Sequence, residues 1–343
     1  MDSLTHIFLG GAIGAAIATP HRRRLAIMLG AALNSAPDID VPIQKLLGLN
    51  PVDDITWHRG PSHSVFVLIV VGLLISAASR RWWPLWREAP RRWFWMIMAC
   101  LITHPVIDTF TAYGTQLFWP WPMQPVMISS LFIIDPLFTL PLISACIIAW
   151  RYGAQRAAKL ALVIGLGLST TYVGWSLVAK SMLDSIADKS LRERGLADAP
   201  RFSTPMPFTT LFWRVVVMTS DGYLESERSL IADSGQMRLD ARQSDESAIR
   251  AVASFPSAQR LAWFNHGFMK SQEVEGELVV SDLRMGSEPD YVYRFVVARR
   301  DPSGQWTEIP PRSLDWPWQS SIRLRGLWSR IWSGLRAPTS DSP

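Results

Sequence analysis

The side chains best suited to chemistry in this sequence are histidines and aspartates that occur in short, separated motifs. His58 and His63 lie five residues apart around a Gly-Pro turn, just before a long apolar run. One such pair is a weak metal signal, because two imidazoles alone do not complete a coordination sphere. Further motifs repeat the same residue types and strengthen the prediction. They are Asp2 with His6, Asp38 with Asp40, His104 with Asp108, and the isolated Asp135.

The spacing of these motifs allows their side chains to converge. His104 and Asp108 are four residues apart, as are Asp2 and His6, so each pair shares one face of a helix. Imidazole and carboxylate ligands without a thiolate favour zinc, manganese or iron over calcium. Carboxylates held close together repel one another, and a divalent cation relieves that repulsion. We therefore predict a divalent metal site that holds one or two ions, with zinc as first choice and manganese or iron as alternatives.

Membrane helices are the elements expected to position these motifs. Apolar residues make up 48% of the chain and charged residues only 18%, a balance between that of a soluble domain and that of an all-membrane protein. The 17 tryptophans are typical of chains that meet a membrane interface. We predict an all-α polytopic membrane domain over residues 1–180 with about six transmembrane helices, taking about 20 apolar residues per crossing. The candidate spans are 4–20, 23–41, 63–80, 93–110, 131–150 and 158–180.

Arginine clusters between alternate spans predict the orientation of these helices. Basic residues concentrate at 22–24, 80–92 and 151–159, and basic loops stay on the cytoplasmic side. The N-terminus and the C-terminal half are therefore expected outside the cytoplasm, and the histidine and aspartate motifs fall on that outer side. His21 belongs to an arginine cluster and is excluded. We interpret the clusters as topology signals rather than nucleic-acid-binding patches, and the missing basic residue before the first apolar run predicts an uncleaved helix.

The second half of the chain is more polar. The pattern of short β-branched segments in residues 200–312 predicts a small extracytoplasmic α+β domain, with a helical segment over 244–266. Within this domain, His266 is interpreted as structural. The segments with the length and β-branched content of strands are 212–218, 222–228, 275–282 and 291–299.

The last part of the chain, residues 313–343, is a basic amphipathic tail. Its apolar residues between 321 and 336 fall mostly on one helical face, with arginines among or opposite them. Such a helix is expected to rest on the outer leaflet of the membrane, or alternatively to pack on its own domain. Cys100 and Cys146 both lie in apolar runs and are predicted to be buried core residues.

The histidine and aspartate motifs resemble those of a known family. The YdjM-type inner-membrane-associated proteins, predicted to be metal-dependent hydrolases, have similar segments in the same order, and the resemblance covers about residues 1–180. The added C-terminal domain is similar to the long, YfhP-type branch. A looser similarity to helical zinc-dependent phospholipases C points to phosphoester chemistry. The matching segments are Asp2-Ser3-Leu4-Thr5-His6, Pro37-Asp38-Ile39-Asp40, His58-Arg59-Gly60-Pro61-Ser62-His63-Ser64 and Thr103-His104-Pro105-Val106-Ile107-Asp108.

This resemblance implies a location in the bacterial inner membrane and a role for each motif. Asp2 or Asp40 is the expected general base that takes a proton from water, and Arg59 either pairs with a substrate phosphate or anchors its loop. The predicted function is metal-dependent hydrolysis of a phospholipid or lipid-linked phosphoester at the outer membrane face. The expected metal ligands are His6, Asp38, His58, His63, His104 and Asp108.

Two non-enzymatic interpretations stay open. Aspartate and histidine in membrane helices also form proton or ion relays in transporters. The chain is alternatively a membrane scaffold that presents its C-terminal domain to partners. A serine hydrolase is disfavoured, because no nucleophile-elbow pattern surrounds Ser62 or Ser64. The sequence leaves the oligomeric state open.

Overall fold

The computed structural model describes residues 1–315 and 320–334, and among these the side chains of all but residues 84, 85 and 320–325. The chain divides into two compact units. The first comprises Met1–Ser129 and Ile133–Trp175, and the second comprises Ser130–Phe132 and Ser176–Pro343. The first unit is helical, and the second is rich in β-sheet.

The first unit is built from helices of very different length. Helix α8 continues beyond the first unit into the second. Short 3₁₀ turns, each containing a proline, connect α2 to α3 and lead into α5. The helices are α1 (Ser3–Ile17), α2 (Arg23–Ser35), α3 (Asp40–Leu47), α4 (Pro51–Trp57), α5 (Val65–Trp82), α6 (Pro90–Asp108), α7 (Pro136–Tyr152) and α8 (Arg156–Arg192).

The prediction of about six transmembrane helices is wrong. Among the described residues, only α5 and α8 are long and apolar enough to cross a membrane. Helices α1 and α7 have 15 and 17 residues, or about 23 and 26 Å, whereas the hydrocarbon core is about 30 Å thick. Helix α2 has 13 residues and begins with two arginines, and α6 contains Arg91, Arg92 and Asp108. The predicted orientation was derived from six alternating spans, so it loses that support.

Glycines bring α1 and α2 into close contact. A Cβ atom on Gly10 would lie 2.2 Å from the Gly30 carbonyl oxygen and 2.4 Å from Asn34 Cβ. One on Gly14 would lie 2.4 Å from the Ala26 carbonyl oxygen. The two backbones therefore touch, as they do where small residues line contacts between membrane helices. This packing sets the start of α1 beside the end of α2.

The second unit contains two four-stranded antiparallel sheets. Their strand orders are β1-β2-β3-β4 and β10-β9-β6-β5. Each of the four predicted strand segments contains a strand, and the predicted helical segment is two helices, α9 (Glu246–Ala251) and α10 (Pro256–Phe264). The strands are β1 (Arg201–Pro205), β2 (Phe212–Thr219), β3 (Gly222–Ser229), β4 (Asp240–Gln243), β5 (Met269–Val274), β6 (Glu277–Asp282), β7 (Gly286–Ser287), β8 (Asp290–Tyr291), β9 (Arg294–Arg300) and β10 (Trp306–Ser313).

The tail helix α11 (Ser320–Trp332) packs on the second unit. Ile331 is buried, and its carbonyl oxygen accepts a hydrogen bond from Ser229 Oγ at 2.7 Å. This contact supports the packing alternative for the tail. Trp328 and Trp332 stay exposed, so contact with a membrane surface stays a prediction. The end of the predicted amphipathic pattern, residues 335 and 336, lies outside the described residues.

Candidate metal centre

The predicted site residues lie where helices of the first unit begin or end. Asp38 is in the 3₁₀ turn after α2, and Asp40 begins α3. His63 ends the 3₁₀ turn before α5, and His104 and Asp108 lie near the end of α6. A proline in each 3₁₀ turn prevents continuous helix hydrogen bonding, so the chain bends and turns its polar side chains toward one place.

Four of these side chains form the inner group, which consists of His63, His104, Asp38 and Asp108. The Nε2 atoms of the two histidines are 3.0 Å apart. Each Nε2 atom is also 3.4 Å from Asp38 Oδ1 and 3.4 Å from Asp108 Oδ2. The Asp38 side chain is 24% exposed, and the other three are fully buried. Both Nε2 atoms thus lie within 3.4 Å of the same two carboxylate oxygens.

Neighbouring groups determine which imidazole nitrogens carry protons. His104 Nδ1 donates to the Asn34 carbonyl oxygen. Ser62 Oγ donates to Asp40 Oδ2 at 2.8 Å and therefore accepts from His63 Nδ1 at 2.9 Å. When both rings are neutral, their Nε2 atoms therefore present lone pairs to each other. Two lone pairs that face each other beside two carboxylates repel, and a cation among them removes that repulsion.

A divalent ion fits the inner group. Ligand atoms around tetrahedral zinc lie about 3.3–3.4 Å from one another, close to the 3.0 and 3.4 Å separations of the inner group. Asp108 Oδ2 is buried and accepts no hydrogen bond within the described residues, so it is available as a ligand. The Nδ1 hydrogen bonds are the outer contacts that orient metal-binding imidazoles in proteins. These buried histidines and aspartates could therefore hold a metal ion.

A second, outer group consists of Asp38, Asp40 and His58, whose ligand atoms lie within 4.8 Å of one another. His58 Nδ1 is 3.1 Å from Asp40 Oδ1, and the Arg59 backbone N–H donates to Asp40 Oδ2 at 3.2 Å. Burial acts to raise the pKa of Asp40, but the hydrogen bond and charge of His58 outweigh it and hold that pKa below its ordinary value. Asp40 is therefore ionised at neutral pH.

The other oxygen of Asp108 has its own partners. Asp108 Oδ1 lies 3.2 Å from Arg59 Nη2 and 3.3 Å from His6 Nε2. The buried Arg59 guanidinium also donates to Thr111 Oγ1 at 3.0 Å and lies 4.8 Å from the centre of the Tyr113 ring. These contacts fix the Asp108 carboxylate with Oδ2 directed at the inner group. His6 lies on this oxygen, and ligand atoms of His6, His104 and Asp108 are within 4.8 Å of one another, so these three residues could also hold a metal ion.

Two predicted residues lie elsewhere. Asp2 caps α1, where its carboxylate accepts from the Thr5 backbone N–H at 3.1 Å and from Thr5 Oγ1 at 2.6 Å. Asp135 caps α7 through the Leu137 N–H and accepts from the Tyr172 hydroxyl at 2.9 Å. Neither belongs to a metal-binding group within residues 1–315 and 320–334.

Asn34 is a site residue that the sequence analysis missed. It is fully buried, its carbonyl oxygen accepts from His104, and its Oδ1 lies 3.3 Å from His6 Nδ1. The signal was a lone asparagine inside the apolar run 23–41. A buried amide is costly without partners, and a polar residue in such a run is a site candidate by that fact alone.

The opposite end of the first unit is basic. Arg23, at the start of α2, donates to the Gly153 carbonyl oxygen just after α7. Arg92, at the start of α6, donates to the Ala18 carbonyl oxygen just after α1. Helices α1, α2 and α6 reach the candidate site with their other ends, so the basic cluster and the candidate site lie at opposite ends of these helices.

Comparison with known proteins identifies the family of this helical unit. Residues 1–183 match the family described as YdjM inner membrane protein, and this region is more than half of the 343-residue chain. The chain belongs to this family. The YdjM resemblance of the motifs is thereby confirmed, and every residue of the inner and outer groups lies in the matched region. The family description supports the predicted location in a bacterial inner membrane.

Two relatives extend the YdjM-family comparison. The chain is 29% identical over 233 residues to the uncharacterized protein YfhP of Bacillus subtilis (strain 168), covering 65% of this chain and 67% of YfhP. It is 29% identical over 119 residues to the inner membrane protein YbcI of Escherichia coli (strain K12), covering 35% of this chain and 66% of YbcI. The chain thus spans about two thirds of the length of each relative. No solved structure matches it.

Proposed function

We propose that this YdjM-family protein is a membrane-bound, metal-dependent hydrolase whose inner group binds a divalent ion, zinc in the first place. The observation that carries the proposal is the 3.0 Å approach of His63 Nε2 and His104 Nε2 beside two carboxylates. Two buried Nε2 atoms that face each other as acceptors are costly without a partner, which favours a bound cation over a purely structural role. When bound, such an ion lowers the pKa of water and withdraws charge from a phosphoryl or carbonyl oxygen.

The outer group supplies proton transfer. His58 Nδ1 faces Asp40 at 3.1 Å, and a carboxylate in this position orients an imidazole so that its Nε2 can accept a proton. His58 and Asp40 are 21% and 12% exposed, so solvent reaches this pair. We assign to His58 the removal of a proton from the attacking water, with Asp40, the predicted base, acting through it. A second ion held by the outer group is the alternative use of these residues.

Arg59 contributes by holding Asp108 in place. Its side chain is 4% exposed and already contacts Asp108 and Thr111. A buried guanidinium with two protein partners favours the anchoring role over direct contact with a substrate phosphate. Loss of Arg59 would leave the Asp108 carboxylate buried beside fewer cations, and a buried charge without its partner is strongly destabilising.

The substrate proposed for this site is a phosphoester of a membrane lipid or of a lipid-linked molecule. Metal ions with imidazole and carboxylate ligands suit the charge that develops on phosphoryl oxygens.

The basic end of the first unit favours the cytoplasmic side, which assigns the site at the opposite end to the outer face. This side assignment depends on the charge at the helix ends and not on the number of spans.

Metal content and hydrolysis separate this proposal from an ion relay, in which the two Nε2 atoms would share a proton. Full-length protein purified in detergent is expected to contain stoichiometric zinc or manganese and to hydrolyse a soluble nitrophenyl phosphodiester. Chelation is expected to abolish the hydrolysis, and added zinc to restore it. The variant His58→Ala is expected to retain the metal and lose most of the activity. Metal-free protein that conducts protons in proteoliposomes would instead support the relay.

A further inference from the structure

The short helix α3 turns its polar side inward and its apolar side outward. Gln44 is buried, and with its amide turned over it accepts from the His58 backbone N–H at 3.0 Å and donates to the Asp54 carbonyl oxygen at 3.2 Å. Asp40 faces residues 58–64, the site loop, which lie between α4 and α5. A surface helix in a soluble domain has the reverse arrangement. The outer face of α3 consists of Ile39, which directly precedes the helix, and of Ile43, Leu46 and Leu47; these side chains are 61%, 47%, 88% and 68% exposed.

The outer face of α3 is accompanied by little charge. The charged residues of this helix are Asp40, which bonds inward, and Lys45. A lysine stem can lie along apolar surface while its ammonium group reaches lipid headgroups. Four exposed aliphatic side chains beside one lysine match the boundary between acyl chains and headgroups. These aliphatic side chains are unfavourable in contact with water, and they provide few groups for a charged protein partner.

The site loop leads from α4 directly into a candidate membrane span. Ser64 directly follows His63 and caps α5, one of the two candidate spans among the described residues. Helix α5 has 18 residues, or about 27 Å, and the hydrocarbon core is about 30 Å thick. Because α5 is no longer than the hydrocarbon core is thick, a membrane-spanning α5 must begin at the membrane boundary. Asp40 accepts from Ser62 of the same loop at 2.8 Å, so α3 begins at that level as well.

Aromatic side chains mark the same boundary. Phe66, in the first turn of α5, has its ring centre 5.5 Å from that of Trp121 and 6.4 Å from that of Phe118. Trp121 is 62% exposed. Tryptophan concentrates where a membrane meets water, so these rings support the assignment of the start of α5 to the lipid interface.

We propose that the outer face of α3 lies in the lipid interface and that its partner is the membrane surface. An amphiphile would then reach Asp38 and Asp40 directly from the lipid. This inference rests on the proposed function for its reaction, whereas the lipid contact itself is independent of catalysis. It makes α3 the element that selects membrane-borne substrates.

A fluorescent probe at Leu46 tests the lipid contact. Cys100 and Cys146 are buried, so a Leu46→Cys variant of the full chain, in phosphatidylcholine–phosphatidylglycerol vesicles, can be labelled at the introduced thiol. We expect quenching by lipids brominated on the acyl chain and little quenching by aqueous iodide. A probe at Gln305→Cys, on an exposed turn, is the control and is expected to show the reverse. Iodide quenching of the Leu46 probe overturns the proposal, and so does protection from both quenchers, which would indicate a protein partner.

An activity measurement separates this inference from the proposed function. The double variant Leu46→Glu/Leu47→Glu is expected to keep its metal-to-protein ratio and to hydrolyse vesicle phosphatidylglycerol several-fold more slowly than the unaltered protein. Unaltered protein without metal or hydrolysis would contradict the proposed function, while the quenching result would still decide the lipid contact. A double variant as active on vesicles as the unaltered protein would contradict the role of α3 in substrate selection.

Discussion

His63 Nε2 and His104 Nε2 face each other at 3.0 Å, while the Nδ1 atom of each ring is engaged on its other side. When both rings are neutral and carry their protons on Nδ1, the two Nε2 atoms have no proton with which to bond each other. Asp38 and Asp108 add two carboxylate oxygens at 3.4 Å. A cation bound among these atoms is the explanation that we propose for their close approach.

Replacing an inner-group histidine is expected to abolish metal binding. His63→Ala removes one of four ligands and leaves the carboxylates without a complete coordination sphere. Elemental analysis of protein purified in detergent measures the metal-to-protein ratio. His21→Ala is the matched control, because that side chain is 62% exposed and contacts Glu88. A His63→Ala protein with its full metal content would contradict the ligand assignment.

Ser62 is expected to act as a positioning residue for the metal site. Its hydroxyl accepts from His63 Nδ1 and donates to Asp40, and loss of such an outer contact lowers metal affinity by about 10–100-fold. Competition with a chelator should show this loss in Ser62→Ala. Ser79→Ala, which removes a hydrogen bond to the Ile75 carbonyl oxygen in α5, should leave the affinity unchanged. Equal affinities in the two variants would rule out the positioning role.

Gly10→Ala is expected to destabilise the first unit. The added methyl group would lie 2.2 Å from the Gly30 carbonyl oxygen, and overpacking of this kind costs about 1–3 kcal/mol. Gly167→Ala is the control, because nothing lies within 4 Å of its added Cβ and alanine is the better helix former. Thermal unfolding of the full chain in detergent compares them. A Gly10→Ala protein as stable as Gly167→Ala would contradict the close approach of α1 and α2.

The second unit is expected to lose stability in acid partly through Glu288. Burial acts to raise the pKa of Glu288, but hydrogen bonds from Lys270 and Tyr223, at 2.8 and 2.7 Å, outweigh it and hold the pKa below its ordinary value of 4.5. A pKa lowered by folding contributes stability above the ordinary value, and that contribution is lost as the pH falls through the lowered one. Hydrogen exchange of β8 in the full chain, measured between pH 6 and pH 3, is expected to show this loss.

Glu288→Gln is the variant that checks the cause of this acid sensitivity. The substitution keeps the shape of the side chain and removes its titration, so the exchange of β8 should depend less on pH over the same interval. An identical pH dependence in both proteins would assign the acid sensitivity to other carboxylates.

All four members of the inner group were among the predicted ligands, because they occur in motifs with recognisable spacing. His104 and Asp108 share a helix face, and the Gly-Pro turn before His63 predicts a bend. Which motifs meet depends on tertiary packing that spacing does not encode. Asp2 has the same spacing to His6, yet its carboxylate caps α1. Asn34 was missed because a lone asparagine has no motif, although packing places it against two histidines.

The sequence also predicted the division into a helical and a β-rich half, but not the number of membrane spans. Apolar stretches were counted without regard to where helices end. Pro37 ends one apolar run in a 3₁₀ turn, and Arg91 and Arg92 open α6 with charge. Hydropathy averages over such ends, whereas the length of each helix is set by its turns and caps.

Anomalous diffraction at the zinc edge, from crystals of the full-length protein loaded with zinc, tests the central claim most directly. We expect an anomalous peak enclosed by His63 Nε2, His104 Nε2 and the carboxylates of Asp38 and Asp108. A zinc-loaded crystal with no peak there, or with a peak only elsewhere on the chain, would contradict it.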